Sequence, residues 1–359
     1  MTKGYNSYSG RRSGGRGFLV ILLLLLLIGA LAFLFIQRYV VYEDGGGIRI
    51  DLPFFKAEDD PPPANDPPPA PPEELTVGTQ DEAPTEPPAE EDPAPVPLVV
   101  GKMVVFDPAI LHGGWEAALE AAAQGGANAF VLPLKESDGI LRYPSSLTSA
   151  LAAQTTSADS AAEEALAGLL DSDLYAVARI NALHDNAFAR ANMTAAAICQ
   201  LTGYVWYDHY STHWLDPNKV AARAYIVEIA EECADMGFDE ILFDEFRFPD
   251  KGRMNRIDTS AMTMTKPEAL ALLADELRAA LDARGVKMSV VVRAEVLESG
   301  ANETSGETVE MLFEKFDNVY VEGSLEAFAA LQSQLGENAA KMIPMLSGES
   351  VDGQYISIS

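Results

Sequence analysis

The segment at residues 238–249, FDEILFDEFRFP, limits the possible fold more than any other part of the sequence. Residues 240–243 of this segment form a short, mostly apolar run in which polar and apolar residues do not alternate. A strand of this kind belongs in a parallel sheet that is covered by helices. Two carboxylates, Asp244 and Glu245, follow the run directly. We therefore expect a parallel sheet with acidic side chains at the carboxyl end of one strand.

Short apolar runs alternate with amphipathic helical segments from residue 98 onward. Repeated βα units of this length indicate a parallel α/β fold, and their number favours a (β/α)8 TIM-type barrel. The last unit is the weak point, because only residues 354–358 remain for an eighth strand and a full helix does not fit before it. The seven clear strands are predicted at 102–106, 129–134, 174–180, 240–243, 287–296, 318–321 and 341–346.

Residues 18–36 are apolar and carry no charge. The run is just long enough to cross a bilayer as a helix. Basic residues dominate the tail before it, so the positive-inside rule places the N-terminus in the cytoplasm. We expect a cytoplasmic tail at 1–17, a single transmembrane anchor at 18–37, and an extracytoplasmic domain on a bacterial cell membrane. A signal peptide cleaved after Ala30-Leu31-Ala32 is the alternative.

Residues 38–97 are rich in Pro, Asp and Glu and have little to bury, which predicts an unfolded linker before a domain at 98–359. The chain carries a net charge of −29. Because such a surface repels phosphate backbones, nucleic acid is not an expected partner. The two cysteines, Cys199 and Cys233, fall in predicted helices and favour buried thiols over a disulfide.

The segment at 238–249 is similar to the FDEIxFDYxRFP signature of a glycoside hydrolase family of bacterial TIM barrels, which is itself distantly similar to the α-amylase-type barrels. Three further stretches resemble the same family: VARINALHD at 177–185, WLDP at 214–217 and KESDG at 135–139. The resemblance extends over most of residues 101–346. It implies a barrel that hydrolyses glycosidic bonds in a cell-wall or extracellular polysaccharide.

The chain departs from the family pattern at three places. Glu245 stands where the family has Tyr, and residues 293–297 replace a strand end that contains Asp in the family. The segment after the seventh strand is also shorter. These departures leave open a barrel that binds glycans at the cell surface without cleaving them.

Hydrolysis of a glycosidic bond generally uses two carboxyl groups, one ionised and one that delivers a proton. Asp244 is the candidate nucleophile or ion stabiliser, and Arg247 lies close enough in sequence to help keep it charged. Glu295, at the end of the predicted fifth strand, is the candidate acid/base. Its neighbour Arg293 would favour the ionised form, so Glu245 is the substitute candidate for the proton donor.

Aromatic residues are concentrated in the long connection before residue 217. Flat rings there could stack on the apolar faces of sugars, or they could pack inward to hold the connection in place. We predict substrate binding by two arginines, one lysine and these four aromatic residues: Arg179, Arg247, Lys135, Trp206, Tyr207, Tyr210 and Trp214.

The same connection contains Asp208, His209 and His213, a combination that a metal-dependent carbohydrate deacetylase could use. The surrounding residues are Tyr, Ser and Thr, and no second Asp-rich strand end precedes them. We therefore predict no metal site and no cofactor, and treat the deacetylase as the weakest alternative.

Overall fold

The computed structural model describes residues 40–42, 48–50, 101–156, 159–347 and 354–358. The chain divides into two units, Met1–Glu90 and Glu91–Ser359. In the first unit, strands Val40–Tyr42 and Ile48–Ile50 pair in antiparallel fashion. The predicted tail and anchor lie outside the described residues, as does the predicted linker apart from these two strands. Among the residues that are described, no helix is both long and apolar enough to cross a membrane.

The second unit is a closed barrel of eight parallel strands. The predicted barrel is therefore confirmed, including its eighth strand. That strand lies between the seventh and the first, with Ile356 opposite both Met345 and Met103. In chain order the strands are β1 (Lys102–Val105), β2 (Ala127–Lys135), β3 (Tyr175–Asn181), β4 (Glu240–Asp244), β5 (Lys287–Arg293), β6 (Asn318–Glu322), β7 (Met342–Ser347) and β8 (Tyr355–Ile358).

Helices cover the outside of the barrel, and their apolar faces pack on the outward-facing strand residues. Two separate helices precede β3, because one ends before Thr155 and the next begins after it. The helices are α1 (Trp115–Gln124), α2 (Thr148–Ala153), α3 (Ser160–Leu170), α4 (Asn186–Ala191), α5 (Met193–Ala196), α6 (Val220–Met236), α7 (Lys266–Asp282), α8 (Ala294–Ser299), α9 (Val309–Lys315) and α10 (Leu325–Gln334).

Alternate residues of each strand face the inside of the barrel and form a core of their own. Tyr175 and Val177 of β3 pack there with Leu242 of β4 and Val291 of β5. Since side chains alternate along a strand, Arg179 and Asp244 continue these inward rows to the carboxyl end of the barrel. The strand register therefore decides which polar side chains reach the mouth.

Glu240 closes the opposite, amino-terminal end of the barrel interior. Its side chain is fully buried. It accepts hydrogen bonds from the hydroxyl of Tyr175 at 3.0 Å, the hydroxyl of Tyr320 at 2.9 Å and the Asn318 amide at 3.3 Å. A buried carboxyl group is tolerated where its oxygens are satisfied in this way.

The predicted end of the fifth strand is wrong. β5 stops at Arg293, which pairs in register with Glu322, and residues 294–299 form helix α8. Ala, Glu and Leu in this stretch are strong helix formers. Glu295 is consequently an exposed helical residue and does not share the inward face of β5.

Helix α9 begins at Val309, directly after its N-cap residue. Thr308 caps α9 by accepting a hydrogen bond from the backbone N–H of Met311 at 3.2 Å. Before this cap, strands Ala301–Asn302 and Glu307–Thr308 form a small antiparallel ribbon. Glu307 is therefore buried in the ribbon rather than exposed at the start of a helix.

Replacing Tyr320 by Phe removes one of the three hydrogen bonds to Glu240 while keeping the ring. We expect the free energy of unfolding to fall by about 1–3 kcal/mol, because an acceptor inside the barrel loses a donor. Urea unfolding followed by circular dichroism measures the change. Tyr204→Phe, at an exposed tyrosine, is the matched control. Equal stability of the two variants would contradict the structural role of Glu240.

Candidate active site

Polar side chains from four neighbouring strands meet at the carboxyl end of the barrel. Arg179 comes from β3, Asp244 from the end of β4, Arg293 from the end of β5 and Glu322 from the end of β6. This is the end at which barrels of this type place their chemistry. The sequence placed Arg179 and Asp244 here.

Asp244 is held by two kinds of donor. The guanidinium of Arg179 approaches one carboxylate oxygen through both Nε, at 3.0 Å, and Nη2. The backbone N–H of Glu245 donates to the other oxygen at 2.7 Å. Arg179, rather than the predicted Arg247, is therefore the cation paired with Asp244. The side chain of Asp244 is 18% exposed, so one edge of this ion pair remains open to a ligand.

Glu245 follows in a left-handed backbone conformation with φ of 48°. Non-glycine residues in this region are strained and are often found at functional sites. Its Oε2 lies 2.5 Å from Nη2 of Arg247. Burial raises the pKa of Glu245 to about 7; the charges of Asp244 and Glu322 add to the rise, whereas Arg247 opposes it. Glu245 can therefore carry a proton near neutral pH.

Glu322 is a third carboxyl group at the mouth, and the sequence reasoning missed it. Its Oε1 lies 3.8 Å from the same Arg179 nitrogen that contacts Asp244. Partial burial and the nearby charge of Asp244 raise the pKa of Glu322. The signal was present in the sequence, since alternation along NVYVE puts Glu322 on the inward face with Tyr320.

Arginine and aspartate side chains connect this mouth to the loop after β4. Arg247 contacts Asp250 at 3.1 Å, and Arg293 contacts the other oxygen of Asp250 at 2.8 Å. Burial raises the pKa of Asp250, but the two arginines more than offset that effect, and its pKa lies below the usual range. Asp250 therefore stays ionised and fixes both guanidinium groups.

A cavity of about 210 Å³ opens beside Glu245 and Arg247. Trp214 lines it, with the Arg247 guanidinium 5.1 Å from the ring centre. Tyr210 lines it too and is 74% exposed. Aromatic and charged groups of this kind suit a sugar ring, because the rings offer apolar faces while the charged groups hydrogen bond to hydroxyls.

The predicted aromatic platform is only partly assembled. Trp206 is 1% exposed and donates its indole N–H to the carbonyl of Arg253 at 3.1 Å, so it packs the connection in place. Trp214 is also buried, with 3% of its surface exposed, but it lines the cavity. Tyr207 is exposed outside the cavity lining. The inward-packing alternative is therefore correct for Trp206.

Asp208 and His184 line the cavity and hold Trp214 in position. Asp208 accepts hydrogen bonds from Thr212 and from the indole N–H of Trp214 at 3.1 Å. His184 stacks on Trp214 with ring centres 4.3 Å apart. Burial lowers the pKa of His184 to about 4, so this ring is neutral at physiological pH. Among the described residues, no three His, Cys, Asp or Glu side chains are placed to share a metal ion.

Lys135, predicted to bind substrate, is a structural residue. Its Nζ lies 2.9 Å from Asp185 Oδ2, and neither side chain is exposed. The ammonium also donates to the carbonyl of Asn181 at 2.6 Å. Gly139 allows the loop after β2 to lie against Asp185, since a Cβ at this position would meet Asp185 Oδ1 at 2.0 Å. The KESDG segment thus supports the barrel rather than the site.

Glu295, the predicted acid/base, lines a separate cavity from Glu245. Because α8 carries it away from the β5 row, its side chain faces solvent beside Val296 and Ser299. The structure brings together Asp244, Glu245, Arg247 and Arg179, and leaves Glu295 outside this group.

Comparison with known proteins assigns the chain to a family. Residues 109–321 match the family described as "putative glycosyl hydrolase domain". The chain belongs to this family. The match spans strands β2 to β5 and most of β6, and it includes the side chains of the mouth described above except Glu322. The family resemblance of the 238–249 segment is confirmed.

One solved structure supports the fold, and a second is similar over about half of this chain. The glycoside hydrolase domain of PgaB (BpsB) from Bordetella bronchiseptica aligns with a TM-score of 0.52 and 14% identity, over 72% of this chain and 92% of that one. A hypothetical protein from Ruminiclostridium thermocellum aligns with a TM-score of 0.45 and 22% identity, over 52% and 96%. No curated protein matches the sequence. The family match therefore identifies a glycoside-hydrolase-type barrel, and the Bordetella bronchiseptica domain has a similar fold.

Replacing Lys135 by Met leaves Asp185 buried without its cation. We expect a loss of about 3–5 kcal/mol in the free energy of unfolding, the usual cost of breaking a buried ion pair from one side. Denaturant unfolding measures it. Lys251→Met is the control, because Lys251 is exposed and makes no ion pair among the described residues. A loss below about 1 kcal/mol for Lys135→Met would contradict the structural assignment.

Proposed function

We propose that the protein is a glycoside hydrolase that cleaves a cell-wall or extracellular polysaccharide at the mouth of its barrel. One observation carries the proposal. Two successive carboxyl groups, Asp244 and Glu245, have different environments at the end of one strand. Asp244 is paired with Arg179, whereas burial raises the pKa of Glu245 to about 7. Carboxyl groups with separated acidities are the requirement for acid/base cleavage of a glycosidic bond.

In the proposed reaction Glu245 gives its proton to the leaving glycosidic oxygen as the bond from that oxygen to the anomeric carbon breaks. Asp244 stabilises the positive charge that develops at the anomeric carbon, or bonds to it as a nucleophile. Water then supplies hydroxide to the anomeric carbon and returns a proton to Glu245. Arg179 holds Asp244 in place for this role, and the cavity beside Trp214 receives a sugar ring.

The proposed location rests on the sequence. The apolar run at 18–36, with basic residues before it, supports a single-pass anchor at 18–37 with the N-terminus in the cytoplasm. The Pro-rich acidic stretch at 38–97 would then hold the barrel away from the membrane. A barrel outside the cytoplasm could reach a polysaccharide of the cell wall or of the surroundings.

A glycan-binding barrel without catalysis is the second candidate. The contact of Glu245 with Arg247 favours it, because a nearby cation opposes protonation of the carboxyl group. In that case glycan binding would survive Asp244→Asn and weaken on Trp214→Ala, and wild type would cleave no substrate.

Replacing Asp244 by Asn keeps the shape and one acceptor oxygen but removes the charge. We expect glycan cleavage to fall by about 10²–10³-fold or more, as when other preorganised electrostatic groups are removed. Release of reducing ends from soluble cellulose, chitin, xylan and glucan derivatives measures it. Asp171→Asn, at an exposed aspartate that caps the end of α3, is the control. Equal turnover by wild type and Asp244→Asn would refute the mechanism.

Glu245 must be protonated to donate, so kcat/KM of the wild type should fall as pH rises through about 7. Glu245→Gln should lose about 10²–10⁴-fold in activity and lose this dependence. Glu322→Gln should keep the dependence and move it to lower pH, because the charge of Glu322 raises the pKa of Glu245. A pH profile that vanishes in Glu322→Gln but persists in Glu245→Gln would give the proton-donor role to Glu322.

A further inference from the structure

A second cavity of about 460 Å³ adjoins the one at Glu245. Lys251 and Arg293 line both cavities, so the two lie side by side, and together they are called the cleft below. The inner end lies at Tyr210 and Trp214, and the outer end lies at Glu303 beside α8. Together the two volumes are within the range of about 300–1,000 Å³ that is typical of ligand clefts. The cleft is therefore longer than the site at which the bond is cleaved.

The outer cavity has balanced charge. Glu295 and Glu303 supply two carboxylates, while Lys251 and Arg293 supply two cations. Among the described residues, neither of these glutamates nor Lys251 forms an ion pair. Their donors and acceptors are consequently free to hydrogen bond to a ligand. A lining with no net charge suits a neutral polyhydroxyl group better than an anion or a cation.

The ribbon at residues 301–308, which lines part of the outer cavity, is held in place by contacts with the loop after β4, with α7 and with Arg293. The backbone N–H of Phe248, in the loop after β4, donates to the carbonyl of Ser305 in the ribbon at 2.9 Å. Gly306 packs against α7, since a Cβ there would lie 2.6 Å from the Cβ of Lys266. Glu307 lies 3.9 Å from Arg293. Because these contacts fix the ribbon relative to the loop after β4, the cleft is preformed.

We propose that the outer cavity is a subsite for a neutral sugar unit of the same chain whose glycosidic bond lies over Asp244 and Glu245. This inference rests on the proposed hydrolase function and specifies its substrate class. The protein acts on glycan chains long enough to fill both cavities. Binding at the outer cavity holds the scissile bond in place, and short substrates lack that contribution.

Chain-length dependence tests the proposal. Wild type and the variants Glu303→Ala and Glu295→Ala are compared on disaccharides and hexasaccharides of the cello-, chito- and xylo-series. We expect the ratio of kcat/KM for the long over the short substrate to fall about tenfold, which is the effect of losing one or two hydrogen bonds. Glu298→Gln, on the same helix but outside the cavity lining, should leave the ratio unchanged.

An equal loss on both lengths in Glu295→Ala would overturn the subsite and return Glu295 to a catalytic role. An unchanged ratio in both variants would also overturn it. If wild type cleaves none of these substrates, the proposed hydrolysis fails by itself, and retardation in gels containing the soluble polysaccharides becomes the readout. Retardation of wild type that Glu303→Ala loses and Glu298→Gln keeps would support the subsite, and equal retardation of all three proteins would refute it.

Discussion

Closure of the barrel by β8 is the constraint on which the rest of the structure depends. Ile356 lies between Met345 and Met103, and this register joins the last strands to the first. Once the ring is closed, every second residue of each strand must face inward. The apolar members of these rows fill the interior, and Glu240 closes one end with three hydrogen bonds. The polar residues of these inward rows therefore come together at the opposite, carboxyl-terminal end of the barrel.

Charge at the mouth is arranged as a network rather than as isolated pairs. Arg179 contacts Asp244 and lies near Glu322, and Asp250 holds Arg247 and Arg293 together. Each arginine thus has a fixed partner other than a substrate. Burial contributes most to the raised pKa of Glu245, with Arg247 opposing the rise and Asp244 adding to it. A site built in this way places the adjacent carboxyl groups of Asp244 and Glu245 in different electrostatic environments.

Local patterns in the sequence were sufficient for most of the fold. The strands are short apolar runs, and the inward row from Tyr175 to Arg179 follows from alternation alone. The prediction for Glu295 failed because alternation was extended past Arg293 into residues that form a helix. Lys135 was misassigned because its partner Asp185 is distant in sequence and a buried ion pair leaves no local pattern. Glu322 was missed although its strand carried the signal, since its significance depends on Arg179, which only the closed ring brings near.

The left-handed backbone at Glu245 has a consequence for the geometry of the strand end. In an unbroken strand the residue after Asp244 would turn to the opposite face, into the apolar layer beneath the helices. The positive φ interrupts that alternation. Two consecutive acidic side chains can therefore lie at the same mouth, although any residue other than glycine is strained in this backbone conformation. A glycine at this position would relieve the backbone strain but would remove the second carboxyl group. The position therefore cannot have both an unstrained backbone and an acidic side chain.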